Sequence, residues 1–454
     1  MLQAPIHRRT LFKLALLGAS AATLPGRALA AAGEALRWQN WSGFLQAKPA
    51  AIHYPRDEDS LRELLLQSSG TLRCFGGSHS FSPLVPTDDT LISLEAMAGL
   101  RGHDSNAHTA RFGAGSRLAM ASSQAWGVGQ SFYNEPDINL QSLAGAIATA
   151  THGTGGGLGC LSAYVDSLRM MSVDGELLQL SAEDGDLFRA ACVSLGALGV
   201  VTEIGFRNLP AYRLEEKVSV MSLRDAMDLM EKEADQHRHM EFFAFPHGRT
   251  AIVQTTDITD NPEDVFPEDD SNSVLEMACE VTMRAGWLNR PLQRMLTLFV
   301  DEAIKRGPAH QVYANSRTVQ FNEMEYTVPV SKGLECLEEV CETIRRERIN
   351  AFFPIEYRHT ASDDTLLSMF SERPGASISV HQYYRMEHDT LFNAVEPIFL
   401  KNQGRPHWGK LHNLGASKLG ELYPHFDRFR EIRRQLDPRG RLLNPHLRKV
   451  LGEA

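Results

Sequence analysis

Paired cysteines, sequence repeats and an excess of basic charge are all missing from this 454-residue chain. Its six cysteines show no CxxC spacing, so the sequence indicates neither a zinc site nor a disulfide framework. It contains no internal repeat or low-complexity tract, so nothing indicates a repeat architecture. The formal net charge is −10, and removing the four basic residues among the first 30 leaves −14. Such an acidic body argues against nucleic acid or an anionic membrane surface as a partner.

Long hydrophobic runs are also scarce, and the one near the start belongs to a leader. Residues 1–30 combine a basic beginning, a short Leu/Ala/Gly stretch and a small-residue cleavage pattern, as an export signal does. The stretch is too short for a typical transmembrane anchor. Adjacent Arg8 and Arg9, followed by "LFK", resemble a twin-arginine signal. We therefore expect export of the folded protein to the periplasm and no stable membrane insertion after cleavage. Ordinary secretion and an uncleaved anchor are the alternatives.

The remaining chain has the composition of a globular protein, with 43% hydrophobic and 22% charged residues. Its length predicts two domains or three. From residue 52 to about residue 212 short strands alternate with helical stretches, without the regular βα order of a dinucleotide-binding Rossmann domain. Longer helices and strands follow a boundary near Pro210. We predict an α+β fold with a first domain over 31–212, a second over 213–404 and a C-terminal segment over 405–454.

The stretch "RCFGGSHSFSPL", residues 73–84, places a histidine just behind a glycine pair at the end of a short apolar strand. Gly76 and Gly77 have no Cβ, so their backbone can approach a bound group closely and offer it N–H donors. The ring nitrogen of His79 could then bond a cofactor, hold a metal or cap a turn. Taken alone, the stretch does not separate these roles.

A second glycine-rich stretch, "LQSLAGAIATATHGTGGGLG" at residues 140–159, is crowded with small residues. Its threonines and His152 lie between glycines, so its backbone can pass close to a flat ligand and give it N–H donors. A glycine-rich connection packed between helices explains the same composition equally well.

Together the two stretches carry a family resemblance. "GGSHSFSPL" is followed about 70 residues later by "AGAIATATHGTGG" and then by "SLGALGVVTEIGFRNLP", a series that resembles the FAD domain of the vanillyl-alcohol oxidase superfamily. The resemblance implies a two-subdomain FAD-binding domain and a substrate (cap) domain with an antiparallel sheet and flanking helices. It also implies FAD as the cofactor, attached covalently from His79 to the flavin 8α-methyl carbon. The cofactor-binding residues that it implies are Gly76, Gly77, Ser78, His79, Ser80, Pro136, Ser142, Gly145, Thr149, His152, Gly153 and Val201.

Three C-terminal motifs narrow the family. "FFPIEYRHT" (352–360), "RPHWGKLHN" (405–413) and "LDPRGRLLNPHLRKVLG" (436–452) are similar to those of sugar-1,4-lactone oxidases and alditol oxidases. In that group a Glu-x-Arg pair and an HWxK lysine line the reacting face of the flavin, which implies catalytic roles for Glu356, Arg358 and Lys410. Strand alternation puts Glu356 and Arg358 on one face. A fixed cation suits a reduced flavin anion, and a carboxylate suits a hydroxyl proton.

Three further stretches contain candidate functional residues. His381, in "SVHQYYR", is either a catalytic residue near the flavin or a structural histidine. Counting back from the second glycine loop puts Asp137 where the related enzymes have a substrate-contacting serine, so the exact substrate stays open. Pro136, which stands there in place of alanine, favours oxygen reactivity. The "HRH" at 237–239 has the spacing of a metal pair but lies between a helix and a strand, and we predict no metal site.

The sequence thus predicts an exported FAD-dependent oxidoreductase that oxidises a hydroxyl of a sugar lactone or polyol by hydride transfer to flavin N5. Its electrons would pass to oxygen or to a respiratory acceptor. The alternative is a flavin-binding protein of the same fold that acts on another hydroxylated substrate or lacks turnover. The presence of Glu356, Arg358 and Lys410 argues against loss of turnover.

Overall fold

The computed structural model describes residues 36–268, 271–296 and 302–453. The predicted leader, residues 1–30, lies outside these ranges. Small sheets precede residue 212, and one large sheet follows it. The chain after the large sheet returns to contact the first half, as described below.

Two sheets build the first half. A three-stranded parallel sheet has the order Ala51–His53, Thr90–Ser93 and Leu72–Phe75, and the first glycine loop leaves its last strand. An antiparallel sheet has the order Leu177–Ser181, Val165–Met171, Val200–Arg207, Thr109–Gly113 and Leu100–Asp104. Two short ribbons pair Trp38–Gln39 with Gln46–Ala47 and Gln130–Ser131 with Leu209–Pro210. The helices are Glu58–Gln67, Leu118–Gly127, Leu143–Ala148 and Asp186–Cys192, with 3₁₀ turns at Glu95–Met97, Leu161–Tyr164 and Ala182–Asp184.

One eight-stranded antiparallel sheet forms the second half. Its order is Ala303–Pro308, Arg213–Ser222, Thr250–Ile258, His239–Phe245, Ile355–Thr360, Gly375–Tyr383, Phe321–Pro329 and Arg405–Pro406. The helices of this half are Leu223–Glu233, Ser271–Arg284, Asn289–Leu296, Ala309–Tyr313, Val330–Arg346 and Asp389–Lys401, with 3₁₀ turns at Ala234–Gln236 and Gly286–Leu288. The C-terminal helices are Ala416–Leu422, Phe426–Leu436 and Pro445–Leu451.

Alternation along the central strands gives the large sheet two different faces. Strand register aligns Phe242, Tyr357, Ile378 and Tyr326 in one row across four strands, and all four are fully buried. The helix Val330–Arg346 packs on the sheet. The alternate residues of the same strands are largely charged or polar, so the opposite face is available to a ligand.

Buried Arg73 ties the C-terminal segment to the first half. Its guanidinium donates to the carbonyls of Leu84, Leu195, Gly196 and Leu442 at 2.6–2.8 Å. Burial lowers the pKa of Arg73 to about 10, but these acceptors satisfy its donors. The cation therefore fixes the chain around residue 442 beside the strand that leads into the first glycine loop.

The predicted α+β class is confirmed. Parallel and antiparallel pairings occur together in the first half, and no regular βα order is found in the described part. Across the described ranges, no helix combines the length and the apolar content that a membrane crossing needs.

Candidate active site

A cleft lies between the two halves of the chain. Its walls come from both glycine-rich loops, the strand around Val201, the charged face of the large sheet and the segment around Lys410. It holds about 1640 Å³ of atom-free space, its open mouth included. The two glycine loops, the sheet and the segment around Lys410 thus enclose one continuous space between the two halves.

The structure brings most of the predicted site residues to this cleft. The predicted cofactor residues that line it are Gly76, Gly77, Ser78, His79, Ser80, Pro136, Ser142, Gly145, Thr149, His152 and Val201. The predicted catalytic residues Arg358 and Lys410 line it too. Gly153, Glu356 and His381 do not.

Close packing of the two loops gives Gly76 and Gly77 a role that the sequence did not suggest. A Cβ on Gly76 would lie 1.9 Å from Ser142 Oγ, and one on Gly77 would lie 2.6 Å from Leu140 O. The second loop, rather than a ligand, therefore occupies the space that a side chain would need. Ser78 follows with a φ of 56°, a left-handed conformation that turns the chain sharply.

His79 stands in the cleft wall as a neutral imidazole. The centroid of its ring lies 5.5 Å from that of Trp41. Burial, together with the cations of Lys410 and Arg117, lowers the pKa of His79 to about 4. One ring nitrogen therefore keeps a free lone pair at neutral pH, as a nucleophile or a hydrogen-bond acceptor must.

The charged face of the sheet is organised around Glu325, which the sequence analysis missed. Glu325 Oε1 lies 2.7 Å from His152 Nε2. Glu325 Oε2 accepts hydrogen bonds from Arg358 Nη2 at 3.0 Å and from Ser379 Oγ at 2.8 Å. Burial by itself would raise the pKa of Glu325, but His152 and Arg358 hold it well below its ordinary value. The buried carboxylate is therefore charged.

The ring of His152 is held between the second glycine loop and the sheet. Its Nδ1 lies 2.8 Å from Gly153 O and 3.4 Å from Thr360 Oγ1. Its Nε2 faces the charged carboxylate of Glu325 at 2.7 Å. The second glycine loop is therefore tied to the sheet through this ring.

Strand register explains why these groups meet. Glu356 and Arg358 share one face of Ile355–Thr360, as predicted. Ser379, on the next strand, lies opposite Glu356 on one side and Glu325 on the other. The available sequence signal was "FNEMEYTVP", in which Glu323 and Glu325 alternate along a buried strand.

Lys410 is held by another carboxylate from the strand that carries Glu325. Its Nζ forms an ion pair with Glu323 Oε2 and lies 5.1 Å from the centre of the Phe81 ring. His381 Nε2 lies 3.6 Å from the other Glu323 oxygen, and His381 Nδ1 donates to Pro354 O at 3.1 Å. The ring of His381 thus contacts Glu323 and does not line the cleft, and its catalytic role stays a prediction.

Glu356 and Gly153 line a smaller cavity that adjoins the cleft. Glu356 Oε2 lies 3.4 Å from Arg358 Nη2, and Arg358 borders both spaces. Burial raises the pKa of Glu356, which makes its carboxylate a stronger base. Gly153 does not line the cleft, and a Cβ there would lie 2.4 Å from Glu135 O, so its contact with the cofactor stays a prediction. Packing against that backbone accounts for the glycine.

Asp137 borders both cavities as well, and an arginine within the protein balances its charge. Arg317 Nε donates to Asp137 Oδ2 at 2.9 Å. Burial by itself would raise the pKa of Asp137, but Arg317 and Arg358 lower it. The aspartate is recognisable from its place before the second glycine loop, whereas its partner lies 180 residues further along the chain.

One group of possible metal ligands occurs among the described residues. Ligating atoms of His152, Glu325 and His407 lie within 4.8 Å of one another. Hydrogen bonding accounts for this group, since His152 is bonded to Glu325 and His407 Nδ1 accepts from Gly409 N at 2.9 Å. The two histidines of "HRH" have separate protein partners.

The residues of the cleft fit a flavin dinucleotide. Arg358 Nε is buried and has no hydrogen-bond partner in the described part of the chain, so it retains a donor for a bound acceptor. Burial by itself would lower the pKa of Arg358, but Glu356 and Glu325 raise it, so the guanidinium stays charged. The glycine loops would hold the pyrophosphate, and His79, Arg358 and Lys410 would face the flavin.

Comparison with known proteins identifies the family. The sequence profile of the D-arabinono-1,4-lactone oxidase family matches residues 204–450, more than half of the chain. The chain belongs to this family. The profile of an FAD-binding domain matches residues 49–181, which include both glycine loops. The family resemblance and the FAD cofactor predicted from the sequence are therefore confirmed.

Individual relatives in the lactone oxidase family align along nearly their whole length. L-gulono-1,4-lactone dehydrogenase of Mycobacterium tuberculosis is 35% identical, over 91% of this chain and 99% of its own. L-gulonolactone oxidase of Bos taurus is 27% identical and alditol oxidase of a Streptomyces species 25%, each over 91% of this chain and 98% of its own. The solved cholesterol oxidase of B. sterolicum superimposes with a TM-score of 0.78 at 14% identity, covering 95% of this chain and 100% of that chain. This likeness confirms the predicted vanillyl-alcohol oxidase-type fold.

The opposite pKa shifts of Glu325 and Glu356 predict opposite pH effects on stability. The folded-state pKa of Glu325 is below its ordinary 4.5. Its contribution to the free energy of unfolding is therefore full above about pH 4.5 and is lost as the pH falls. Glu325→Gln removes the nearer of the two carboxylates beside the buried Arg358 and should cost about 3 kcal/mol or more at neutral pH. We expect this deficit to shrink below about pH 4.5, as measured by denaturant unfolding of the flavin-loaded protein.

Glu356→Gln is the matched variant, for which we expect the opposite pH dependence of stability. Because the folded-state pKa of Glu356 is raised above 4.5, the wild type should lose stability relative to Glu356→Gln as the pH rises above that value. If both variants changed with pH in the same direction, the assigned charge states would be wrong.

Proposed function

We propose that this chain is an FAD-dependent oxidoreductase that oxidises a hydroxyl group of a sugar lactone or polyol to a carbonyl. The observation that carries the proposal is the meeting of Glu356, Arg358 and Lys410 beside a cleft whose loops fit FAD. The names of the aligned relatives, two gulonolactone enzymes and an alditol oxidase, agree with this substrate class.

The chain's own residues divide the work of alcohol oxidation. When bound, FAD supplies at N5 the acceptor for the hydride that leaves the alcohol carbon. Glu356, whose pKa is raised by burial, accepts the hydroxyl proton. Arg358, fixed by Glu325, and Lys410, fixed by Glu323, provide positive charge where negative charge develops.

We further propose that FAD is bonded covalently through His79. The ring is neutral, lies in the cleft wall and follows the tight turn at Ser78. These properties give an imidazole nitrogen a free lone pair and a restricted orientation, both of which bond formation with an electrophilic carbon needs.

Export and the electron acceptor are also proposals. The adjacent Arg8 and Arg9 and the small-residue pattern near residue 30 support export of the folded protein to the periplasm. Oxygen or a respiratory carrier would take the electrons, and the names of relatives include both oxidases and a dehydrogenase.

Mixing the purified protein with polyols and aldonolactones in the absence of oxygen tests the reaction. We expect at least one of them to bleach the flavin absorbance at the rate of turnover. Recovery in air would indicate an oxidase, and persistence of the bleached state would indicate a separate acceptor. If no member of either class bleached the flavin, the proposed function would be refuted.

A lysine pair provides the control for this experiment. Lys410→Met should slow flavin reduction by about 100-fold or more, the typical cost of losing one stabilising donor. Lys418→Met should leave the rate unchanged, because Lys418 forms a half-exposed pair with Glu421 away from the cleft.

Acid precipitation tests the covalent bond to His79. We expect the wild-type precipitate to keep its flavin, because a carbon–nitrogen bond survives unfolding, and His79→Ala to release FAD into the supernatant. His103→Ala, at an exposed histidine, should behave as the wild type does. Complete release of flavin from the wild-type protein would contradict the linkage while leaving the proposed reaction intact.

A further inference from the structure

The smaller cavity beside the cleft has a strongly acidic lining. It holds about 430 Å³ of atom-free space, its opening included. Asp137 and Arg358 border both this cavity and the cleft, so the two spaces adjoin. Five carboxyl groups line it, those of Glu135, Asp137, Glu216, Glu241 and Glu356. We call this cavity the carboxyl pocket.

Two of the five carboxyl groups have no partner. Within the described ranges, Glu216 and Glu241 form neither a hydrogen bond nor an ion pair. Burial raises the pKa of both groups, and for Glu241 the neighbouring Glu356 adds to the effect. The other three are partnered: Asp137 with Arg317, Glu356 with Arg358 and Glu135 Oε2 with Ser122 Oγ.

One buried polar atom of the same lining is unsatisfied as well. Glu135 Oε1 has no hydrogen-bond partner among the described residues, although Glu135 is only 4% exposed. A buried polar atom without a partner costs free energy. Together with the carboxyl groups of Glu216 and Glu241, this atom gives the pocket polar groups that a ligand can satisfy.

Several other polar groups of the lining use their hydrogen-bonding capacity within the protein. Thr154 Oγ1 donates to Met240 O at 2.8 Å, and Tyr313 OH lies 2.7 Å from His239 Nε2. The groups left for a ligand are chiefly carboxyl groups. Such a lining suits hydroxyl or ammonium groups, which donate to carboxyl oxygens, whereas a ligand carboxylate would meet the negative charge of Asp137.

Strand register places this lining next to the catalytic pair. Glu241 lies directly opposite Arg358 on the neighbouring strand, with Phe243 opposite Glu356. Residues in such cross-strand positions have Cβ atoms about 4.5–5.5 Å apart. A substrate whose reacting carbon lies near Glu356 and Arg358 can therefore extend to Glu241 within a few bond lengths.

We propose that the part of the carboxyl pocket around Glu216 and Glu241 is a second substrate subsite, which binds hydroxyl or ammonium groups of the substrate beyond the reacting carbon. This inference rests on the proposed function. Glu216 and Glu241 are then specificity-determining residues, and they favour acyclic chains, which carry more hydroxyl groups than the corresponding lactones do.

Chain-length dependence tests the subsite. The concentration dependence of anaerobic flavin reduction gives an apparent Kd for glycerol, which has the shortest chain beyond the reacting carbon, for sorbitol and for 1-amino-1-deoxysorbitol. Glu241→Gln should weaken the binding of sorbitol about 3–10-fold and that of the amine, whose positive charge favours the ionised form of Glu241, about 10-fold or more. The apparent Kd for glycerol should change less than that for sorbitol, and the limiting reduction rates should not change. Glu216→Gln should show the same pattern, and Glu231→Gln, on an exposed helical position, should show none.

The two long substrates distinguish the two sources of donors. If Glu241→Gln weakens the binding of the amine only, the pocket binds ammonium. If it weakens the binding of the amine and of sorbitol equally, the pocket binds hydroxyl groups. Equal weakening of glycerol and sorbitol would overturn the subsite. If no compound reduced the flavin, the proposed function would fail, and the melting temperature would then decide the inference. If the subsite exists, adding the amine should raise the melting temperature of the wild type but not that of Glu241→Gln. No rise in the melting temperature of the wild type would refute the subsite.

Discussion

The buried carboxylate of Glu325 connects the two halves of the cleft. It lies on the large sheet and binds His152, on the second glycine loop, and Arg358, on a neighbouring strand of the sheet. The side chains of His152 and Glu325 are each only 1% exposed. Breaking a pair at such depth leaves a charge that neither water nor protein solvates, at a cost of about 3–5 kcal/mol. The position of the loop relative to the sheet is therefore set by this contact.

The same strand also fixes the second cation of the cleft. Glu323 and Glu325 are two residues apart, so both face the ligand side of the sheet, where one holds Lys410 and the other holds Arg358. Glu356 differs from both, because its pKa is raised while that of Glu325 is lowered. One face of one sheet thus carries fixed cations and a carboxylate able to take a proton, the combination that alcohol oxidation needs.

Local patterns in the sequence predicted many residues of the site but few of the long-range contacts between them. The glycine loops, the Glu-x-Arg alternation and Lys410 were accessible because each depends on neighbouring residues. The contact of His152 with Glu325 joins positions 173 residues apart, and no local pattern encodes such a pairing. Strand alternation likewise gives the face on which His381 lies, whereas its contact with Glu323 depends on the pairing of two strands.

The glycines show a second limit of sequence reasoning. Gly76 and Gly77 predicted a loop free of side chains, and the structure has one. The sequence favoured a ligand as the reason, whereas the close neighbours are Ser142 and Leu140 of the other loop. A glycine in the sequence indicates that a side chain would not fit at that position. Only the fold shows which neighbouring group occupies the space.

A double-mutant cycle between His152 and Glu325 tests the central contact most directly. The measured quantity is the free energy of unfolding of the flavin-loaded wild type, His152→Asn, Glu325→Gln and the double variant. The account predicts a coupling free energy of about 1–3 kcal/mol. The exposed pair of Arg439 and Asp174, with side chains 67% and 65% exposed, should show less than about 1 kcal/mol in the same cycle. Additive effects at His152 and Glu325 would contradict the claim that this carboxylate holds the two halves of the cleft together.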